Sequence, residues 1–172
     1  MENITSFEWS AVSAEAALFC GAVLAVLFEA LFPKRRTAVC AFAVAAMIAA
    51  IALDLLAPVP DLSFGGTLGG RGGFGVFITA CALLSSLLGF GYFAKGGARR
   101  GEFLAVLMVC AAALSVFARS RNLMLSFVAL ECATVCLYVM AAWSRSRASS
   151  LEGAAKYLVI SGVSGGLFLL GT

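Results

Sequence analysis

The sequence predicts an all-α integral membrane protein of about six transmembrane helices. Of the 172 residues, 62% are hydrophobic and only 12% are charged, and the mean hydropathy is +1.03. Soluble domains are about half apolar and about a quarter charged. Several apolar segments approach the roughly 20 residues that cross a hydrocarbon core of about 30 Å. Helices and short connections therefore account for most of the chain.

The six predicted helices follow one another with little sequence between them. Their approximate limits are 14–32, 37–57, 74–94, 102–118, 123–143 and 153–172. Pro33 ends the first and Pro58 ends the second, and a glycine-rich loop over 60–73 leads into the third. This loop is too polar and too flexible to lie in lipid. The later connections are short, so consecutive helices should pack as antiparallel neighbours.

The basic residues predict the orientation of these helices. Eight lie in connections on one side, namely Lys34, Arg35, Arg36, Lys95, Arg99, Arg100, Arg145 and Arg147. Three lie on the other side, namely Arg71, Arg119 and Arg121. Because cytoplasmic connections are enriched in Lys and Arg, both termini should lie outside, in the periplasm of a bacterium. Trp9 and Trp143 lie at predicted helix ends, as interfacial aromatic anchors do.

Two classes of function are not indicated. The net charge of +3 comes from short clusters between apolar segments, so nucleic-acid binding is not expected. The six cysteines all fall inside apolar segments, where they should act as small buried hydrophobic residues. The chain has no histidine and no CxxC pair, so neither a metal site nor a disulfide framework is predicted.

Glu131 is the candidate functional residue. It lies near the middle of predicted helix five, where an ionisable group is costly and usually marks an ion or proton path. Thr134 and Tyr138 share its helical face, and their hydroxyl groups are candidates for a proton relay. The alternative is a protonated glutamate that only holds helices together.

Other ionisable residues have simpler interpretations. Glu15, Glu29 and Asp54 lie near predicted helix ends, which favours an interfacial position for each. Lys156 lies about one turn into predicted helix six, four residues after Glu152, which favours an i,i+4 ion pair. A proton-relay lysine at this position would need to be desolvated.

Residues 101–172 resemble subunit N of proton-translocating NADH-quinone oxidoreductase, that is, respiratory complex I. The match lies in the order and spacing of GEF at the start of helix four, ARSRNL, ALECATVCLYVMAAW and EGAAKYLVISGVSGGLFLLG. The resemblance implies that residues 1–100 are three N-terminal transmembrane helices. Residues 101–172 would be helices four to six, the start of an incomplete antiporter-like inverted repeat.

The resemblance also implies a function. Such a subunit contributes to proton translocation coupled to quinone reduction, with Glu131 modulating a lysine on helix seven and Lys156 close to that pair. It has no redox site of its own, because NADH, FMN, iron–sulfur clusters and quinone bind partner subunits. Its partners are other membrane-arm subunits and the bilayer, in the bacterial inner (plasma) membrane.

Two departures from the family and two alternative functions follow. Arg71 lies in GGRGGFGVF, where family members usually carry an acidic residue near the start of helix three. The family has about fourteen helices, so we expect this chain to be a fragment or a truncated version that does not complete a proton path alone. A subunit of a multisubunit cation/proton antiporter and a non-conducting structural membrane subunit are the alternatives.

Overall fold

The fold is a bundle of six long α-helices. A computed structural model describes residues 9–32, 36–56, 62–70, 73–96, 100–144 and 147–171. The helices are α1 (Ser13–Leu31), α2 (Arg36–Leu56), α3 (Gly73–Gly96), α4 (Arg100–Arg119), α5 (Leu123–Ala141) and α6 (Ala148–Leu170). A short 3-10 turn, Trp9–Val12, precedes α1, and two short strands, β1 (Leu62–Ser63) and β2 (Leu68–Gly69), lie between α2 and α3. The prediction of an all-α protein with about six helices is confirmed.

The helices identify a multi-pass membrane protein. Five segments are long and apolar enough to cross a bilayer, namely Ser13–Leu31, Ala38–Leu56, Gly101–Arg119, Leu123–Ala141 and Ala148–Leu170. The part of α3 over which side chains are described, Gly73–Gly89, is apolar as well. The predicted orientation stays a prediction. Arg71 and the side chain of Trp9 lie outside the described residues.

Small side chains let the first four helices pack closely. The core between α1, α2, α3 and α4 is built largely from alanine, with Leu18, Met47 and Met108 as its largest buried members. A methyl group on Gly21 of α1 would lie 2.8 Å from Cβ of Ala46 in α2, so this contact requires glycine. Close backbone approach through small residues is the usual way in which helices associate in lipid. In contrast, α6 packs mainly on α5.

The cysteines are distributed differently from the prediction. All six are free, but only Cys40, Cys110 and Cys136 are buried. The other three, Cys20, Cys81 and Cys132, are exposed on the surface of the bundle. The prediction of burial is therefore wrong for half of them. A thiol is only weakly polar, so an outward position on an apolar helix costs little.

The glycine-rich loop forms an ordered hairpin rather than a structureless connection. Phe64, Gly65 and Gly66 have φ angles of 53°, 66° and 85°, and glycine adopts this left-handed region without steric cost. The hairpin lies against the end of α4, because the Arg121 amide donates to the Thr67 carbonyl at 2.9 Å. Leu68 also forms an isolated bridge with Ser120. Its glycines thus serve a tight turn that covers one end of the bundle.

Candidate functional site

Glu131 lies in the middle of α5. This helix begins after Asn122, whose side chain accepts hydrogen bonds from the amides of Met124 and Leu125 at 2.9 and 3.4 Å. Glu131 is eight residues after Leu123 and ten residues before Ala141. At 1.5 Å per residue it is about 12 Å from one end of the helix and about 15 Å from the other. The predicted mid-helix position is therefore found in the structure.

The Glu131 side chain points at α6, where a glycine makes room for it. A methyl group on Gly165 would lie 2.5 Å from Oε1 of Glu131 and 3.7 Å from the ring of Phe127. Phe127 itself stacks on Phe168 of α6, with ring centroids 5.8 Å apart. Glu131 is half-buried in this contact. No described residue donates a hydrogen bond to its carboxylate or forms an ion pair with it.

The two candidate relay hydroxyls do not reach that carboxylate. Thr134 donates to the backbone carbonyl of Glu131 at 2.9 Å, one turn back on the same helix. Tyr138 packs edge-on against Tyr157 of α6, with ring centroids 5.2 Å apart. Within the described part of the chain, these side chains therefore form no continuous hydrogen-bonded path from Glu131. Their role in a relay stays a prediction.

The aromatic pairs also fix the register of α5 against α6. Tyr138 contacts Tyr157, and Phe127 contacts Phe168. The two residue numbers add up to 295 in each pair, so a residue of α5 lies level with the α6 residue whose number completes that sum. On this register Lys156 is level with position 139 of α5, eight residues from Glu131. Eight residues correspond to about 12 Å along the helix axis. Glu131 and Lys156 are therefore not in contact.

Lys156 forms the ion pair that its spacing predicts. Its Nζ lies 2.6 Å from Oε1 of Glu152, and the two side chains are 70% and 65% exposed. Because α6 begins at Ala148, five residues earlier than predicted, Lys156 lies about two turns into the helix instead of one. It is rotated by about 100° from Tyr157, which faces α5. The pair thus lies on a side of α6 that these helices leave uncovered.

A second charged site, which the sequence did not reveal, joins α1 to α4. Nη1 of Arg119 lies 2.5 Å from Oε1 of Glu15, and the two side chains are only 3% and 8% exposed. Ser115 donates to the same carboxylate oxygen at 3.0 Å, and Nη2 of Arg119 donates to the carbonyl of Ala11 at 2.8 Å. The predicted position of Glu15 in the first turn of α1 is confirmed, but its carboxylate is buried against α4 instead of exposed to interfacial water. Arg119, predicted to lie in a connection, is the last residue of α4, and its side chain is buried.

Asp54 of α2 lies beside this ion pair. A methyl group on Gly75 of α3 would lie 2.9 Å from Oδ2 of Asp54 and 3.1 Å from Oγ of Ser115. Residues of α1, α2, α3 and α4 therefore meet in one polar cluster at the hairpin end of the bundle. Oε2 of Glu15 and Nε of Arg119 are buried there without a hydrogen-bond partner. Two carboxylates beside an arginine would have indicated such a cluster only if the helix packing had been known.

A third polar contact lies at the opposite end of α1. Oε2 of Glu29 accepts a hydrogen bond from the backbone amide of Glu102 at 3.1 Å. A methyl group on Gly101 would lie 2.6 Å from this oxygen, so the contact depends on glycine. A carboxylate at the start of a helix is favoured by the helix dipole. Glu29 thus caps α4 across 73 residues of sequence.

The fold and the candidate site define a class: a multi-pass α-helical membrane protein with a carboxylate in the middle of one apolar helix. No family model matches the chain. Individual relatives do match. The chain is 31% identical to NADH-quinone oxidoreductase subunit N 1 of Opitutus terrae, over 95% of this chain and 34% of that protein. It is 34% identical to NADH-quinone oxidoreductase subunit N of Sphingopyxis alaskensis, over 74% of this chain and 26% of that protein.

A third relative agrees with the first two. NADH-quinone oxidoreductase subunit N of Salinibacter ruber is 33% identical over 58% of this chain and 21% of that protein. The chain is thus a homologue of subunit N of NADH-quinone oxidoreductase, and the resemblance inferred from the sequence is confirmed. It spans about a third of the length of the first of these relatives and less of the others.

Proposed function

We propose that this chain contributes to proton translocation in the membrane arm of an NADH-quinone oxidoreductase, with Glu131 as its charge-bearing residue. The observation that carries the proposal is the carboxylate in the middle of α5. An ionisable group near the bilayer centre costs about 2.5 to 3.5 kcal/mol on insertion scales. Such a cost is usually associated with transport, because a proton path needs a group that can gain and lose charge.

The surroundings of Glu131 favour this role over a purely structural one. A glutamate that pins helices together would hydrogen-bond to a neighbouring helix, as Glu15 does to Ser115 and Arg119. In the described residues, the Glu131 carboxylate faces Gly165 and has neither a hydrogen-bond donor nor an ion-pair partner. A half-buried carboxylate without a protein partner is accessible to water or to a group from elsewhere in the complex. That arrangement suits proton exchange.

Lys156 is the second proposed group, and its effect on Glu131 is indirect. Two unit charges 12 Å apart interact by about 1.4 kcal/mol at an effective dielectric constant of 20. The charge of Lys156 would change the protonation equilibrium of Glu131 tenfold at most. The sideways distance between the two helices lengthens the separation, and Glu152 neutralises the lysine. A third ionisable group between Glu131 and Lys156 is therefore needed to couple them. The helix-seven lysine implied by the resemblance has the right chemistry for it.

The remaining parts of the proposal concern the complex. NADH, FMN, the iron–sulfur clusters and quinone would bind partner subunits, and other membrane-arm subunits would cover the exposed side of α6. The compartment would be the bacterial inner membrane. The relatives reported above are named as oxidoreductase subunits, which favours this assignment over a cation/proton antiporter.

Replacing Glu131 with glutamine tests the proposal. The variant keeps the shape of the side chain but cannot change charge. In inverted membrane vesicles that contain the assembled complex, we expect proton pumping per NADH oxidised to fall several-fold while the complex still assembles. Cys132→Ser is the control, because it changes the exposed side chain next to Glu131 on the same helix without removing a charge. Unchanged pumping in Glu131→Gln, with normal assembly, would support a structural role instead.

A further inference from the structure

A cavity opens at the end of the bundle opposite the hairpin. It has a volume of about 530 Å³ and lies between α3, α4 and the connection from α5 to α6. Small-molecule sites in proteins have volumes of about 300 to 1,000 Å³. The cavity contains none of the residues of the Glu131 region or of the Glu15–Arg119 pair.

The outer part of the cavity is polar and positively charged. Arg147 lines it together with the hydroxyl-bearing residues Ser144, Ser149 and Ser150. Arg147 is also the N-cap residue of α6, and no side-chain hydrogen bond caps that helix. The first turn of α6 contains no acidic residue, and Glu152 is already paired with Lys156. The Ser150 hydroxyl donates to the Ala141 carbonyl. An anion at this position would therefore meet the guanidinium, the hydroxyl groups of Ser144 and Ser149, and the positive end of a helix dipole.

The inner part of the cavity is mostly apolar and extends along the helices. Leu107 and Met140 line it, and Ser85 lines it from α3. Leu107 is seven residues from the start of α4, and Ser85 is eleven residues from the end of α3. These positions lie about 10 and 16 Å from the helix ends, at the depth of acyl chains rather than headgroups. The Ser85 hydroxyl donates a hydrogen bond to the Cys81 carbonyl of its own helix, so it does not require a hydrogen-bond acceptor on a ligand.

An aromatic pair separates the two parts. Trp143 lines the cavity and packs edge-on against Phe103, with ring centroids 5.2 Å apart. Tryptophan is enriched at the depth where headgroups meet acyl chains. A molecule that fills this cavity thus needs an anionic head, an interfacial middle and an apolar tail.

We propose that the cavity binds one anionic phospholipid, with its phosphate at Arg147 and an acyl chain between Ser85, Leu107 and Met140. The described lining has a guanidinium but no carboxylate, so it offers no partner for the amine of a zwitterionic headgroup. Basic pockets between helices on the Lys- and Arg-rich side of a membrane protein suit anionic lipids. A transmembrane helix in the same place would fill the apolar part but leave Arg147 without an anion.

Photolabelling of the assembled complex in vesicles tests this assignment. The probe is phosphatidylglycerol with a diazirine in one acyl chain, and phosphatidylcholine with the same label is the comparison. We expect phosphatidylglycerol to label peptides that contain Ser85, Leu107 and Met140 in preference to phosphatidylcholine. Free inorganic phosphate should not compete, because it has no acyl chain to occupy the apolar part.

Two variants sharpen the test, and both should assemble normally. Arg147→Gln should lower phosphatidylglycerol labelling about fivefold, the effect of one basic residue near an anionic surface. Ser85→Phe should abolish the preference without changing charge, because the ring fills the apolar part. Arg121→Gln is the control, since Arg121 is an exposed arginine at the opposite end of the bundle. Equal labelling by both lipids, equal labelling of Arg147→Gln and Arg121→Gln, or no labelling because polypeptide fills the cavity would each overturn the proposal.

Discussion

Glu15→Gln should destabilise the bundle more than the loss of an exposed charge, because it removes one member of the buried Glu15–Arg119 ion pair. The substitution keeps an oxygen that accepts the Ser115 hydrogen bond, but it removes the negative charge beside Arg119. Among the described residues, the guanidinium is then a buried cation whose hydrogen-bond acceptors are the Ala11 carbonyl and the side-chain amide oxygen of the new glutamine. Removing one member of a buried ion pair costs about 3 to 5 kcal/mol. That is a large fraction of the 5 to 15 kcal/mol that stabilises a typical domain.

The double variant Glu15→Leu with Arg119→Met separates lost charge balance from lost contacts. It removes both charges of the ion pair, together with the hydrogen bonds from Ser115 and to Ala11. Each hydrogen bond contributes about 1 kcal/mol. We therefore expect the double variant to be about 2 kcal/mol less stable than the parent protein. It should be more stable than Glu15→Gln alone.

These differences in the free energy of unfolding are measured by titration with sodium dodecyl sulfate in mixed micelles, with tryptophan fluorescence as the signal. Glu152→Gln is the matched control, because it breaks an exposed i,i+4 pair with Lys156. Pairs of this kind contribute about 0.3 to 0.5 kcal/mol. If Glu15→Gln cost no more than Glu152→Gln, or if the double variant were less stable than the single one, the reasoning would be refuted.

Three further substitutions test other contacts. Gly165→Ala would place a methyl group 2.5 Å from Oε1 of Glu131, so we expect it to lower proton pumping. Gly162→Ala is the control, because its methyl group would meet nothing within 4 Å. Equal pumping by the two variants would contradict the contact. Asn122→Ala should cost about 1 kcal/mol and speed amide hydrogen exchange in the first turn of α5, whereas Asn122→Asp should keep the cap. Gly101→Ala should cost about 1 to 3 kcal/mol in the same micelle titration, because its methyl group would overlap the side chain that caps α4.

The number and type of the helices could be predicted from the sequence, because each apolar segment has the length that a bilayer requires. The interruptions by proline, glycine and charge also located most helix ends to within a few residues. The start of α6 was the largest miss, since the segment from Ala148 to Glu152 is polar yet helical. Hydropathy detects segments that are buried in lipid. It does not detect a polar helical turn that extends into the interface.

The candidate site was predictable only in part. The mid-helix position of Glu131 follows from counting along one helix, and the separate ion pair of Lys156 with Glu152 on α6 follows from i,i+4 spacing. The Glu15–Arg119 pair joins residues 104 positions apart, so no local pattern contains it. Both residues lie near helix ends, where a charge is ordinary. Their burial depends on α1 and α4 lying antiparallel and in contact, which is a property of the packed bundle.

The Glu15–Arg119 pair and the Glu29 cap hold α1 and α4 together at both ends. Fourteen residues separate the two anchors on α1 and seventeen separate them on α4. A slip of α1 by one turn, about 5.4 Å, would break both anchors simultaneously. The two anchors therefore prevent α1 from sliding along α4. Relative movement of the helices should instead occur where α6 meets α5, an interface held by aromatic ring contacts and a glycine.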